Sequence, residues 1–400
     1  MARLPAAKVK QVAHDYLRET ITRLAAIDRT SCSPGEHEAA QLIADDLRKA
    51  GAQVTLERPR IHGTYWWPLG ITSAIGIAAA GAAVRGRRWL GAALGAAGAA
   101  LVFDELGAGR RWLRAVLPKH RTTNVVAVMG DPDAEQTLLL VAHHDAAHSG
   151  VFFNPRIAEH MGRRLSELPK SQRGYFAPMA PIAAAPDLAG VAALIGSRPL
   201  ALAAGGVCAG IIGSFVHIAC SPTVPGANDN LSGVATLLAL ARTLASEPVR
   251  GLRVMLVSTG SEEALMEGMR AFFTPRRREL STHGTHVLCV DAVGSRHLVL
   301  IEAEGMLTVR RYDERFKDLI EECAADAQIP LRRGHTMRLG TDGYVALRNG
   351  VPAAALMSVN DFGAASNYHW PTDTADRVDY ETVQRAVSLC ELVVRRMGAG

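Results

Sequence analysis

His143 and Asp145 stand two residues apart, directly after Leu138–Val141, four apolar residues that read as a buried strand. Open α/β sheets gather their chemistry at the carboxyl ends of strands. There a histidine can offer a ring nitrogen to a cation while a nearby aspartate holds the ring. Taken alone, His-x-Asp is a common pattern. Four further clusters of the same chemical kind follow it. Asp229 lies in Pro225-Gly-Ala-Asn-Asp-Asn-Leu-Ser-Gly233, which runs into a helix beginning near residue 231. Unsatisfied N–H groups at such a place favour an acidic side chain. A plain cap would explain the aspartate, but so long a polar lead-in exceeds what capping needs. Glu262 and Glu263 follow an expected strand at Leu252–Ser258. Adjacent carboxylates there point different ways, so one can bind metal while the other faces water; a solvated loop would look the same. Asp291 directly follows the apolar run Val287–Val290, where turn caps are also frequent. His369, preceded by Tyr368, falls in a loop before the last helix, a position where a lone histidine is commonly just exposed.

Together the clusters carry more than they do singly. Ligand-type residues in the order His143, Asp229, Glu263, Asp291 and His369 all fall at expected sheet edges. That is an inventory for two zinc ions sharing one carboxylate, with Glu262 left over as a general base.

The elements that must position these residues alternate between strands and helices. Residues 8–27 have helical spacing through Val12, Tyr16, Ile21 and Leu24. Ser33-Pro34-Gly35-Glu36 opens a second helix to about Ala50, with Ser33 as N-cap, Pro34 at the first helical position and Glu36 placed for a capping box. Strands are expected at Gln53–Leu56, Asn124–Met129, Thr137–Ala142, Leu252–Ser258, Val287–Val290, Leu298–Ala303 and 353–358. Helices are expected at Leu231–Ala245, 313–327 and 379–397. The alternation predicts a three-layer α/β/α sandwich around a mixed, mostly parallel sheet.

Two stretches break this pattern. Trp66–Val84 and Trp89–Phe103 are apolar, Ala- and Gly-rich, and separated by Arg85-Gly-Arg-Arg88. Gly91-x-x-x-Gly95 allows close helix contact. Met179–Gly196 and Pro199–Cys220 form a second apolar pair; only Pro199–Cys220 is long enough to read as a spanning helix by itself. The chain thus divides into a catalytic part (1–65, 104–150 and 222–400), a helical hairpin insertion (66–103) and a second insertion with its own hairpin (151–221). The hairpins should pack together with apolar outer faces. They fit either a membrane anchor through 66–103 and 179–220 or a homo-oligomer interface. Trp66, Trp67 and Trp89 at the run ends favour the membrane.

Composition sets the remaining bounds. The chain has 400 residues, a formal charge of +5 and the charged and apolar fractions of a globular protein. No basic stripe interleaved with aromatics is present, which argues against nucleic acid as a partner. Six cysteines without Cys-x-x-Cys spacing fit free thiols in a reducing compartment. The first residues lack the apolar core of a signal peptide. With Arg110, Arg111, Arg114, Lys119 and Arg121 flanking the catalytic side, this predicts a catalytic domain facing the cytoplasm, or a soluble cytoplasmic protein.

The set of motifs resembles the M28 zinc peptidases, the aminopeptidase and glutamate-carboxypeptidase group. The matching pieces are His143-x-Asp145, Asp229-Asn230-x-Ser232-Gly233, Glu262-Glu263 with Gly268 and Phe272, Asp291-x-x-Gly294, and Tyr368-His369 with Asp373-Thr374. The stretch from Arg29 to Gly51 is also similar to the family. The resemblance implies that His143 and Asp291 bind one zinc, Glu263 and His369 the other, and Asp229 bridges them. It further implies that Glu262 acts as base, Asp145 orients His143, Tyr368 donates to the oxyanion, and the Asp229–Asn230 peptide bond is cis. Thr341-Asp342-Gly343 resembles a segment that shapes the family's pocket. Cys289 and Met269 depart from the family pattern, where Asn and Ser are usual, without removing a ligand. The expected substrate is a peptide, cut from its amino end, since no arginine cluster marks a site for a terminal carboxylate. Two alternatives share the fold: a non-catalytic binding or receptor module, and a single-zinc acyltransferase of the glutaminyl-cyclase type.

Overall fold

The computed structural model describes residues 14–107, 109–157, 159–160, 179–282 and 284–399. The start of the first expected helix, residues 8–13 with Val12, lies outside them. Helices are α1 (His14–Ala25), α2 (Pro34–Lys49), α3 (Trp66–Val84), α4 (Arg88–Leu106), α5 (Trp112–Val116), α6 (Ala180–Ile195), α7 (Arg198–Cys220), α8 (Leu231–Ser246), α9 (Glu267–Thr282), α10 (Glu314–Asp326), α11 (Asp342–Arg348) and α12 (Tyr380–Gly398). Strands are β1 (Gln53–Glu57), β2 (Arg60–Ile61), β3 (His120–Arg121), β4 (Asn124–Gly130), β5 (Thr137–His143), β6 (Arg253–Thr259), β7 (Thr285–Val290), β8 (His297–Glu304), β9 (Arg310–Arg311), β10 (Arg332–Met337) and β11 (Ala353–Val359).

The main sheet has the order β1-β4-β6-β5-β7-β11-β8-β10, with β9 beside β8. Strands β6, β5, β7 and β11 are parallel and central; β4 and β8 run against them. Alternation along β5 explains the layering. Leu138 and Leu140 face one side and join Leu231, Leu238, Val383 and Leu389. Leu139 and Val141 face the other and join Phe272, Phe273 and Tyr344. Helices α1, α2, α8, α10 and α12 therefore cover one face, and α9 and α11 the other, as the expected sandwich requires.

Several local expectations change. Ser33 caps α2, its side chain accepting from Glu36 N at 3.0 Å. Glu36 does not return to the cap, as a capping box would need; it accepts from Thr122, Thr123 and Ser261. The cap of α8 is Asn230, which accepts from Gly233 N at 3.0 Å. Asp229 is thereby free of capping. Strand β10 (Arg-Arg-Gly-His-Thr-Met) has no apolar periodicity to announce it, and in helix α9 the short apolar stripe of Met269, Phe272 and Phe273 is cut off by Pro275 and a run of arginines.

The insertions form a four-helix bundle from α3, α4, α6 and α7, all mutually packed in adjacent pairs. Its contacts are made by small residues. A Cβ on Gly95 would stand 2.4 Å from Gly190 Cα, and one on Gly76 would stand 2.6 Å from Cys208 Sγ. Backbones approach this closely only where side chains are absent. Ile77, Leu90, Leu188, Val191, Leu202 and Val207 point outward, exposed. Among the described residues three helices, α3, α4 and α7, are long and apolar enough to cross a membrane, not α7 alone. The bundle sits on the α9–α11 face, where Leu69, Val102, Leu106, Phe215 and Ile218 enter the second core.

Gly95→Val should force α4 and α6 apart, at a cost of about 1–3 kcal/mol or more. Thermal unfolding in detergent should show a lower Tm, whereas Gly206→Ala, where a Cβ meets nothing within 4 Å, should be near neutral.

Candidate metal centre

The four central parallel strands all end at one place. His143 closes β5, Glu262 and Glu263 follow β6, Asp291 follows β7, and His369 lies in the loop after β11. Asp229 arrives at the N-terminus of α8. The structure brings all six side chains together. Asp229 Oδ1 stands 3.3 Å from His143 Nε2, and Asp229 Oδ2 stands 3.3 Å from His369 Nε2. Asp291 Oδ2 lies 4.0 Å from His143 Nε2, and Glu263 Oε2 lies 3.1 Å from His369 Nε2. Glu262 Oε2 also lies 4.0 Å from His143 Nε2. Among the described residues three groups could hold a metal ion: His143 with Asp229 and Asp291, His369 with Asp229 and Glu263, and His143 with Glu262 and Glu263. The Asp229–Asn230 peptide bond is cis.

These residues fit metal ions. Two donors bound to one zinc at about 2.0–2.2 Å stand roughly 3.3–3.6 Å apart in tetrahedral geometry. The Asp229–histidine distances fall in that range, and neither carboxylate oxygen is held by a short hydrogen bond. Asp229 Oδ2 and Glu263 Oε1 are buried with no hydrogen-bond partner. Buried polar atoms are rarely left so.

The charge balance points the same way. Burial pushes Glu262 and Asp291 well above the usual carboxylate range, and their like-charged neighbours push further against the opposing pull of His143. Burial raises Glu263 too, while His369 pulls it back. Burial would lower His143, but Asp145, Asp229, Glu262 and Asp291 overcome it and raise the imidazole well above its ordinary value. Burial is likewise overcome at His369, which Glu263 and Asp229 lift to about 10. Asp229 is held low because His143 and His369 outweigh its burial. The surrounding carboxylates favour the charged form of both imidazoles; bound cations would take over that compensation.

Supporting groups fix the ligands. Asp145 has a different emphasis from that expected. Its backbone carbonyl faces His143 Nδ1 at 3.2 Å, with its carboxylate 3.5 Å away. The carboxylate accepts from Ser31 Oγ (2.7 Å), Glu262 N (2.9 Å) and Glu263 N (3.1 Å). One carboxylate thus ties β5 to the Glu262–Glu263 turn. Asp373 does the same for Asp229, accepting from Asn228 N at 2.9 Å and Asp229 N at 3.0 Å. Arg29, fully buried, donates to Gly226 O at 2.8 Å. Burial lowers Arg29 to about 10 against the charges of Asp373 and Asp145. Sequence reading had not singled out Arg29 or Ser31 individually. Ser261, Ala292 and His369 itself adopt left-handed backbones, a costly conformation in non-glycine residues that clusters at functional sites.

Tyr368 stacks on His369 with ring centroids 3.9 Å apart, and Phe153 packs edge-on against His369 at 4.6 Å. Burial and the nearby carboxylates raise the Tyr368 phenol well above its ordinary value, so it is a hydrogen-bond donor. Asp342 lies behind the site; Thr259 Oγ1 donates to it.

A cluster of carboxylates and imidazoles at the carboxyl edge of such a sheet defines a class, the zinc-dependent peptidases. Residues 214–394 match the model of peptidase family M28. Its fold is similar to the aminopeptidase from Aneurinibacillus sp. strain AM-1, with a TM-score of 0.58 at 14% identity, covering 97% of this chain and 95% of the other. It is also similar to a Zn-dependent exopeptidase from Parabacteroides distasonis (TM-score 0.55, 13% identity, covering 97% and 99%). The glutaminyl cyclase from Bacteroides thetaiotaomicron is a third likeness (TM-score 0.58, 13% identity, covering 97% and 99%). No curated protein matches the chain in sequence.

Asp145→Asn removes the charge that holds two backbone N–H groups beside the ligands. Supporting partners of this kind are typically worth about 10–100-fold in metal affinity. Zinc titration against a competing chelator should show a loss in that range.

Proposed function

We propose that the chain is a di-zinc aminopeptidase anchored in a membrane. The observation that carries the metal count is Asp229, whose two oxygens each stand 3.3 Å from a different histidine. His143, Asp229 and Asp291 would hold one zinc, and Asp229, Glu263 and His369 the other. The pair would polarise the scissile carbonyl and acidify a water. Glu262 accepts the proton of that water and passes it to the leaving amine. Burial suits it to this work, because a carboxylate kept in a low-dielectric site holds its proton nearer neutral pH. Asp145 keeps His143 and the Glu262–Glu263 turn in register. Tyr368, a donor at the rim, hydrogen-bonds to the oxygen of the polarised carbonyl.

The domain division that goes with this reading is catalytic for 1–65, 104–150 and 222–400, with insertions at 66–103 and 151–221. Support for membrane burial comes from the length of α3, α4 and α7 and from their apolar outer faces. Trp67 and Trp89 are exposed near the helix ends, at the depth where aromatic belts form. Arg110, Arg111, Arg114, Lys119 and Arg121 at the catalytic end, against Arg85, Arg87, Arg88 and Arg198 in the far turns, support a cytoplasmic catalytic domain.

The glutaminyl-cyclase likeness gives a second reading, an acyltransferase with one zinc. Elemental analysis decides between them: two zincs per chain are expected, and one would favour the cyclase. Glu262→Gln should keep both metals and lose at least about a hundredfold in turnover of free-amine peptides. Glu263→Gln should lose metal instead. Carbonate washing of membranes should leave the protein in the pellet; release into buffer without detergent would refute the anchor.

A further inference from the structure

The turn that carries Glu262 is tied to the root of the first insertion by a buried ionic network. Arg111 follows α4 by five residues and is almost fully buried, as are Glu105 and Arg114. Arg111 Nη1 donates to Leu265 O at 2.8 Å and also to the Glu267 carboxylate. Arg114 Nε donates to Glu105 Oε1 at 2.6 Å, and Arg114 Nη1 donates to His62 O at 3.0 Å and lies 3.8 Å from Glu267 Oε2. Arg270 Nε lies 3.4 Å from Glu267 Oε1. The charges of Arg111, Arg114 and Arg270 overcome the effect of burial and keep Glu267 below its usual value, hence ionised.

The turn itself needs such a hold. Ser261, Leu265 and Met266 all have positive φ, which side-chain-bearing residues adopt at a cost of about 1–3 kcal/mol each. It closes through Met266 N to Glu262 O at 2.7 Å and Glu267 N to Ser261 O at 3.0 Å. One peptide unit, Leu265–Met266, therefore receives Arg111 on its carbonyl and grips the Glu262 carbonyl with its N–H.

We propose that Arg111 is a positioning residue for Glu262: locked by Glu267, its guanidinium fixes the Leu265–Met266 peptide and so sets where the Glu262 side chain stands. The segment by which the chain leaves the first insertion is then part of the frame of the active site. This rests on the reading of Glu262 as the base. Misplacing a reacting group by about 1 Å can cost on the order of a hundredfold in rate.

The test uses the full-length, zinc-loaded protein in detergent micelles. Arg111→Met should lower kcat about ten- to a hundredfold, with KM within about twofold and zinc content unchanged. Arg111→Lys, which keeps the charge opposite Glu267, should recover part of the loss. In a Glu262→Gln background Arg111→Met should have little further effect, because the group it positions no longer accepts a proton. Glu267→Gln, which unlocks the guanidinium while keeping shape, serves the same measurements where Arg111→Met fails to fold. Arg110→Met, at the exposed neighbour, should be neutral. Near-normal kcat in Arg111→Met or in that stand-in, while Glu262→Gln is inactive, overturns the positioning role and leaves the base assignment intact. Equal losses in both backgrounds also overturn it, by showing a merely structural effect. Normal turnover in Glu262→Gln removes the base and this inference together.

Discussion

The site depends on one electrostatic constraint: Asp145, Asp229, Glu262, Glu263 and Asp291 are crowded at the end of one sheet, nearly out of water, with two imidazoles among them. Burying charge is tolerable only where each charge has a partner. The neighbourhood is organised to supply partners. Asp145 and Asp373 are satisfied by backbone N–H groups of the very turns that carry ligands, so neutralising them also orders those turns. Arg29 adds a fixed positive charge beneath. What stays unbalanced is concentrated on the atoms that face the centre, where a bound cation would compensate it. Folding and metal loading are therefore coupled through the same carboxylates.

Much of this was legible in the chain. Buried central strands announce themselves as short apolar runs, and the ligands directly follow such runs, so β5, β6 and β7 and the residues at their ends could be read without a structure. Asp229 was ambiguous by sequence because a helix start wants an acidic cap; the structure resolves it by giving the cap to Asn230. Edge strand β10 was not legible, since an edge in partial contact with water needs no apolar pattern. Nor was the Arg111–Glu267 pair, 156 residues apart, because long-range ionic contacts leave no local periodicity. The role of Glu36 was misread for the same reason: its spacing suits a cap, while its carboxylate is drawn to Thr122 and Ser261 from distant segments.

The protein joins two packing regimes. Around the sheet, Leu, Val and Phe interdigitate and water exclusion supplies the driving force. In the bundle, Ala and Gly bring backbones together and the large side chains turn outward. Association there draws on close van der Waals contact between backbones that small residues let approach.

Each insertion contains, among the described residues, one pair of long apolar helices, and this pairing has a consequence for how the chain is threaded. Each hairpin goes out and comes back, with Gly86 and Gly196 at the far turns, so the chain re-emerges at the end it left. His143 is made after the first hairpin, and Asp229, Glu263, Asp291 and His369 after the second. An odd number of long helices in the second insertion would leave His143 at the opposite end of the bundle from the other four. The closeness of these five residues thus fixes the parity of the second insertion but not its length: loss or gain of a whole hairpin there keeps them within reach of one another.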